Sequence, residues 1–94
     1  MNTDKIIPFA LRTIELETNA INGLKEFIDA DFVKAVKAIA TSKGRLIVSG
    51  IGKSAIIAQK IVATLNSTGT PSVFMHAADA IHGDLGMIQT HDVV

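Results

Sequence analysis

Apolar residues recur at three- to four-residue steps through the first part of the chain: Ile7, Leu11, Ile14, Ile21, Leu24 and Ile28. That spacing predicts a helix over residues 5–28, with Pro8 in its first turn, where a missing N–H does no harm. Such a stripe must pack on the body of the domain or on another subunit. Asp31 is placed to cap a second helix over 32–42, with Phe32, Val36 and Ile39 inward and Gly44 closing it. The pattern then changes. Arg45-Leu46-Ile47-Val48-Ser49 is a short apolar run with little alternation, as in a strand covered on both faces. A third helix is predicted from Ser54 to Ser67, burying Ile57, Ile61, Val62 and Leu65 and ending at Gly69. Pro71 opens a second strand over 72–76. Residues 77–82 suit a short helical turn, Gly83 to Gly86 a loop, and Asp92-Val93-Val94 the beginning of a third strand.

Strand, helix and strand at this spacing form a βαβ crossover, which implies an α/β fold with a parallel sheet and helices on its faces. No internal repeat or low-complexity linker interrupts it. Two and a half parallel strands would leave open edges and an uncovered face. The expectation is therefore the front portion of a larger domain, with residues 1–43 as a helical segment and 44–94 as the first part of the α/β body.

Composition narrows the function classes. Apolar content of 48% against 19% charged describes an ordered globular chain, and 94 residues suit one small domain. A formal net charge of zero argues against a nucleic-acid binder working by bulk electrostatics. With no cysteine, disulfides, thiolate zinc sites and cysteine nucleophiles are excluded. No apolar run approaches the ~20 residues of a membrane span. The N-terminal stretch has no signal-peptide layout. A cytoplasmic location, without membrane or nucleic-acid partners, is the expectation. The charges are segregated: from Phe32 to Ala78 there is no acid, while Lys34, Lys37, Lys43, Arg45, Lys53 and Lys60 all fall there. Lys34, Lys37 and Lys43 read as a solvated basic face. Lys53 is different, because it sits in a turn, where it would attract an anion.

That turn is Val48-Ser49-Gly50-Ile51-Gly52-Lys53-Ser54, an apolar strand running through glycines into a helix start. Glycines let the backbone approach a ligand, and the helix start presents unpaired N–H groups and a positive dipole end. A nucleotide P-loop would need glycine at position 47, which is Ile47. A dinucleotide fingerprint matches loosely as Gly50-x-Gly52-x-x-Ala55, but the second strand ends in Met75-His76 rather than in an acid. An ordinary βα turn with two helpful glycines is the remaining alternative. The turn has company, however. His76, His82 and Asp84 follow the second strand, and ligands of open parallel sheets bind beyond the carboxyl ends of the strands. Ser67-Thr68-Gly69-Thr70-Pro71 falls at the opposite end, where it reads as a helix stop unless a neighbouring subunit brings it to the pocket.

Together, Gly50-Ile51-Gly52-Lys53-Ser54, Ser67-Thr68-Gly69-Thr70-Pro71-Ser72, His76 and His82-Gly83-Asp84-Leu85-Gly86 make the chain resemble a sugar-isomerase (SIS) domain. More narrowly, it resembles the arabinose-5-phosphate isomerase family over roughly residues 7–94. The resemblance implies a three-layer αβα sandwich with a five-stranded parallel sheet, of which this chain holds the N-terminal portion preceded by a long helix. It also implies an aldose–ketose isomerase that interconverts D-ribulose 5-phosphate and D-arabinose 5-phosphate through an enediolate, for the synthesis of Kdo. A homotetramer with shared sites is implied too. On the matching positions, Lys53 is the catalytically relevant lysine, and Gly52, Ser54, Gly69, Thr70, His76 and His82 contact substrate. No cofactor is required. His76 also matches a zinc-associated position, although one histidine is a poor zinc site by itself. The family's phosphate-loop serines, its glutamates and a later histidine fall beyond Val94, so the 94 residues alone are expected to be inactive. The alternative is a non-catalytic SIS module that binds a phosphosugar for regulation.

Overall fold

The computed structural model describes residues 2–94, which fall into two compact units that divide between Lys34 and Ala35. The first unit is helical. Helix α1 spans Ile6–Gly23 and tightens into a 3-10 turn over Leu24–Phe27, so the helix predicted over 5–28 changes pitch before its end. Thr13 and Thr18 donate their hydroxyls to the carbonyls of Phe9 and Ile14 (3.0 and 2.7 Å), one turn back. The stripe residues Ile7, Leu11, Ile14 and Ile21 remain exposed.

Helix α2 spans Ala30–Ala40. Its cap is Asp29 rather than Asp31: Asp29 Oδ1 accepts the N–H groups of Asp31 and Phe32, both at 3.1 Å. Both aspartates can cap, and the chain uses the one that saves two further residues for the helix. Phe32 and Val36, expected inward, are about half exposed, and Ile39 alone of the three is partly covered. Gly44 does not close the helix, which ends four residues before it. A Cβ at Gly44 would collide with the His91 carbonyl and lie 2.7 Å from the Asp92 nitrogen, so this glycine serves close chain packing.

The second unit is the parallel α/β body. Strand β1 (Leu46–Gly50) pairs with β2 (Ser72–His76) in parallel register, from Leu46 opposite Ser72 to Gly50 opposite His76. Helix α3 (Lys53–Ser67) makes the crossover. The third strand appears as one parallel bridge between Val93 and Leu46, on the other side of β1 from β2. Ile47 N–H donates to Val93 O at 2.7 Å, and Val93 N–H to Arg45 O at 3.0 Å. β1 therefore has a neighbour on each side, and its apolar run suggested cover on both faces as well. Its cover is incomplete, however, because Ser49 is exposed.

The core gathers where α3 meets the sheet: Ile47 is 1% exposed, with Ala55, Ala58 and Met75 also buried. Full burial of a side chain such as Ile47 contributes about 1.5–3 kcal/mol. Here the structure corrects the predicted helix face. Ala55 and Ala58 pack inward with Val62 and Leu65 partly covered, while Ile57 and Ile61 point outward beside Ile56. Alanines allow close approach: a Cβ on Gly50 would lie 3.3 Å from the Ala55 nitrogen, so the strand end and the first turn of α3 nearly touch. A large side chain at 55 or 58 would hold them apart.

After β2 come the short helix α4 (Ala77–Ile81) and a 3-10 turn over Asp84–Met87, where the sequence suggested a loop. The return to the sheet is fastened by Arg45 and Asp92. Asp92 Oδ1 accepts the Arg45 main-chain N–H at 2.8 Å, and Oδ2 accepts from Arg45 Nη2 and from Gln89 N–H, each at 2.8 Å. The Asp92 side chain is 1% exposed. The Arg45 side-chain hydrogen bond, helped by the Arg45 and Gln89 amides, holds its carboxyl well below the ordinary carboxylate range. Among the described residues no helix is long and apolar enough to cross a membrane.

Candidate functional site

The βα turn takes its shape from Gly52, whose φ of 63° and ψ of −136° form the mirror image of extended backbone. No L-residue with a Cβ adopts that pair of angles without strain. It turns the strand into α3 so that Lys53 and Ser54 become the first two helical residues, both exposed. Their amides have no carbonyl a turn earlier to bond. The hydrogen bond from Ala55 N–H to Gly52 O (3.1 Å) closes the first turn and fixes the direction of these free donors. Two N–H groups, a dipole end and an ammonium-bearing side chain thus share one exposed corner, a suitable anion holder.

His76 ends the adjacent strand, directly opposite Gly50 in the parallel ladder. Neighbouring strands lie about 4.8 Å apart, so the glycine turn and this imidazole share one edge of the sheet. His76 also caps α4: its Nδ1 accepts the Ala78 N–H at 3.1 Å. Accepting at Nδ1 puts the proton of the neutral ring on Nε2, leaving that nitrogen to meet a ligand or pass a proton. Phe74 stands edge-to-face against the imidazole, with ring centres 6.2 Å apart and planes at 85°, and limits its rotation. His82 lies at the far end of α4, exposed at its C-terminus.

Gly52, Lys53, Ser54 and His76 are thus brought together at the carboxyl edge, and His82 follows one short helix later. Gly69 and Thr70 are not brought there. They precede β2, whose five residues at about 3.3 Å per residue set the two edges roughly 13 Å apart. At the amino edge they line a cavity of about 170 Å³ with Ile39, Ser42, Leu46 and Val93. The local bonding of this loop is that of a helix stop. Gly69 has φ 96°, Thr70 N–H donates to Leu65 O at 2.8 Å, and Thr68 Oγ1 to Thr64 O at 2.9 Å. Asn66, which no sequence signal singled out, then clasps Ser72 with both ends of its amide (Oδ1 to N–H 2.8 Å, Nδ2 to O 3.0 Å).

For the zinc association at His76, these residues do not fit a complete site. Nδ1 is occupied by Ala78, leaving one nitrogen donor, and no group of three or more His, Asp or Glu among the described residues is placed to hold a metal ion.

A parallel α/β body with an anion-holding βα turn and a histidine at the next strand end defines an α/β domain with a place for a small anionic ligand. The SIS-domain model matches residues 38–94, and the chain belongs to that family. It is 50% identical over its full length to the arabinose 5-phosphate isomerase KdsD of Pseudomonas aeruginosa. Against the arabinose 5-phosphate isomerase GutQ of Escherichia coli K12 it is 51% identical over 88% of the chain. These alignments span 30% and 26% of the two relatives' lengths. Among solved structures, an Escherichia coli CFT073 protein in complex with arabinose 5-phosphate superposes with a TM-score of 0.89 and 38% identity, over the whole of this chain and 50% of that one.

Proposed function

We propose that the protein carrying this chain is an aldose–ketose isomerase that interconverts D-ribulose 5-phosphate and D-arabinose 5-phosphate, supplying the latter for Kdo synthesis. The observation that carries this reading is the ladder pairing of Gly50 with His76, which sets an anion-holding helix start beside an oriented imidazole. Relatives of 50% and 51% identity named as arabinose 5-phosphate isomerases support the choice of substrate.

Such a reaction opens the sugar ring, removes a proton from the carbon next to the carbonyl and returns it to the neighbouring carbon. It needs an anchor for the phosphate, a cation or donor for the developing oxyanion, and groups that move protons near neutral pH. In this reading Gly52, Lys53 and Ser54 meet the anionic parts of the substrate, and the Lys53 ammonium stabilises charge as the enediolate forms. His76 through Nε2, and His82, serve ring opening and proton movement between oxygens. The carbon base is a glutamate outside these 94 residues. Gly69 and Thr70 reach substrate from a neighbouring subunit of a homotetramer, since their own edge of the sheet lies roughly 13 Å away. No cofactor takes part in these steps.

The test is incubation of the intact protein with D-ribulose 5-phosphate and detection of D-arabinose 5-phosphate. Saturable binding without product would replace the isomerase with the regulatory phosphosugar module. The isolated 94 residues are expected to give no turnover in the same assay.

A further inference from the structure

The stretch from His76 to Met87 leaves the sheet at its carboxyl edge and returns at its amino edge, carrying His82 on the way. Among the described residues, every hydrogen bond formed by 77–86 is local. His82 N–H donates to Asp79 O (3.1 Å), Gly83 N–H to Ala80 O (3.4 Å), and Gly86 N–H to Gly83 O (3.0 Å). Ile88 N–H donates to Leu85 O at 3.2 Å. Residues Ile81 to Gly86 are all exposed. A segment bonded only to itself takes its position from its two anchors.

The first anchor is His76 in the β2 ladder. The second is Arg45. Its Nη2 donates to the Met87 carbonyl at 2.8 Å and, in the same fork, to Asp92 Oδ2 at 2.8 Å, while Nε reaches Asp92 Oδ1 at 3.4 Å. Asp92 in turn accepts the Gln89 N–H at 2.8 Å. Ser42 Oγ donates to His91 O at 3.1 Å, completing a fastening of 87–92 onto the start of β1. Among the described residues, Arg45 is the side chain whose hydrogen bond joins the last turn of the excursion to the central strand. The rigid planar guanidinium matters here, because it serves a carbonyl and both carboxylate oxygens at once.

We propose that Arg45, held by Asp92, is a positioning residue for His82: its bond to the Met87 carbonyl fixes the far anchor of the segment that carries this histidine to the substrate. The inference rests on the isomerase reading for its consequence in catalysis, but its structural content can be measured separately. Within its own chain Arg45 lies at the opposite edge of the sheet from Lys53 and His76, and its side chain is taken up by Met87 and Asp92.

The experiment uses the intact protein with Arg45→Gln, His82→Ala and the double variant, read by steady-state kinetics and by amide hydrogen exchange. Arg45→Gln is expected to lower kcat by about 10- to 100-fold with a smaller change in KM, as displacement of an active group does. In the His82→Ala background the same substitution is expected to cost less than about threefold, because two residues acting as one unit are not additive. Exchange at Gly86 and Ile88 should rise about tenfold or more while Val48, in the β1–β2 ladder, stays protected. Equal losses in both backgrounds, or unchanged exchange at Gly86 and Ile88, would overturn the proposal. Arg45→Lys carries the same two readings should the glutamine variant fail to fold, with an intermediate loss expected from a single ammonium. If the wild-type protein does not turn over pentose phosphate, the isomerase reading fails, and exchange at Gly86 and Ile88 alone decides whether Arg45 positions the segment.

Discussion

Gly52→Ala separates backbone conformation from packing at the anion-holding turn. A Cβ at Gly52 would meet nothing within 4 Å, so substitution makes no clash. The cost comes entirely from φ 63° and ψ −136°, where an L-residue is strained by about 1–3 kcal/mol. Gly23 is the matched control: it too has nothing within 4 Å of its Cβ position, but its φ of −63° and ψ of −21° are ordinary helix. There, alanine stabilises by about 0.4–1 kcal/mol, through the smaller entropy of the unfolded chain. The two substitutions are chemically identical and equally free of contact, yet should differ by about 1.5–4 kcal/mol with opposite sign.

Urea unfolding of both variants of the intact protein, followed by circular dichroism, measures the difference. A third variant sharpens it. The angles at Gly52 are the mirror image of extended L-backbone, so D-alanine introduced there by semisynthesis should stabilise by about the same 0.4–1 kcal/mol as alanine at Gly23. If Gly52→Ala is as stable as wild type, or if D-alanine destabilises as much as L-alanine, the backbone argument for this turn is refuted.

Lys53→Ala in the intact protein is expected to lower kcat/KM for D-ribulose 5-phosphate by about 100-fold or more, the loss typical of one charge-stabilising group; wild-type kcat/KM would remove Lys53 from the mechanism. Because the folded Asp92 carboxyl titrates below its ordinary 3.8, its stabilising effect is full above that pH and is lost as the pH falls through the lower folded value. Acid unfolding of wild type should therefore steepen below 3.8 and flatten in Asp92→Asn, and parallel profiles would contradict the assignment. Mixing inactive Lys53→Ala with inactive Thr70→Val subunits, then dissociating and reassembling them, should restore part of the activity. Shared sites leave some pockets with Lys53 from one subunit and Thr70 from another, whereas recovery of none would place both residues in one subunit's site or Thr70 outside it.

Element order was legible because each transition has its own chemistry: β1 from an unalternating apolar run, α3 from the glycine turn, β2 from Pro71. The buried face of α3 was not. Ile56, Ile57 and Ile61 lie on one side, and Ala55, Ala58, Val62 and Leu65 on the other, so hydrophobicity alone favours the larger side chains. What decides is the close approach of Gly50 to the first turn, which only small residues permit. The choice of Asp29 over Asp31 was likewise open, since both residues carry the capping group. At the site, Gly52, Lys53, Ser54 and His76 could be associated from sequence because parallel strands place their following turns at one edge. The Arg45–Asp92 pair could not, because its partners are 47 residues apart and meet only through the adjacency of β1 and the Val93 bridge. Opposite charges at the starts of two apolar runs are the signal that would have found it.

The two edges of the sheet carry different burdens, and the difference follows from what a ligand site needs. At the carboxyl edge, donors must be left free to meet an anion, so the first amides of α3 are unpaired, Gly52 holds a conformation only glycine tolerates, and residues 77–86 bond only to their neighbours. Each of these weakens local structure. At the amino edge the chain is cross-tied instead: Asn66 clasps Ser72, Ser42 and Gly44 press against His91, and Arg45 joins Met87 and Asp92. Because β1 is central and only five residues long, order imposed at its amino edge reaches Gly50 without a flexible element between them. A substitution at the tied edge can therefore disturb groups at the open edge without touching them. By the same geometry, the Gly69-Thr70 loop belongs to the tied edge, where the Thr70 N–H bond to Leu65 O holds it to the end of α3.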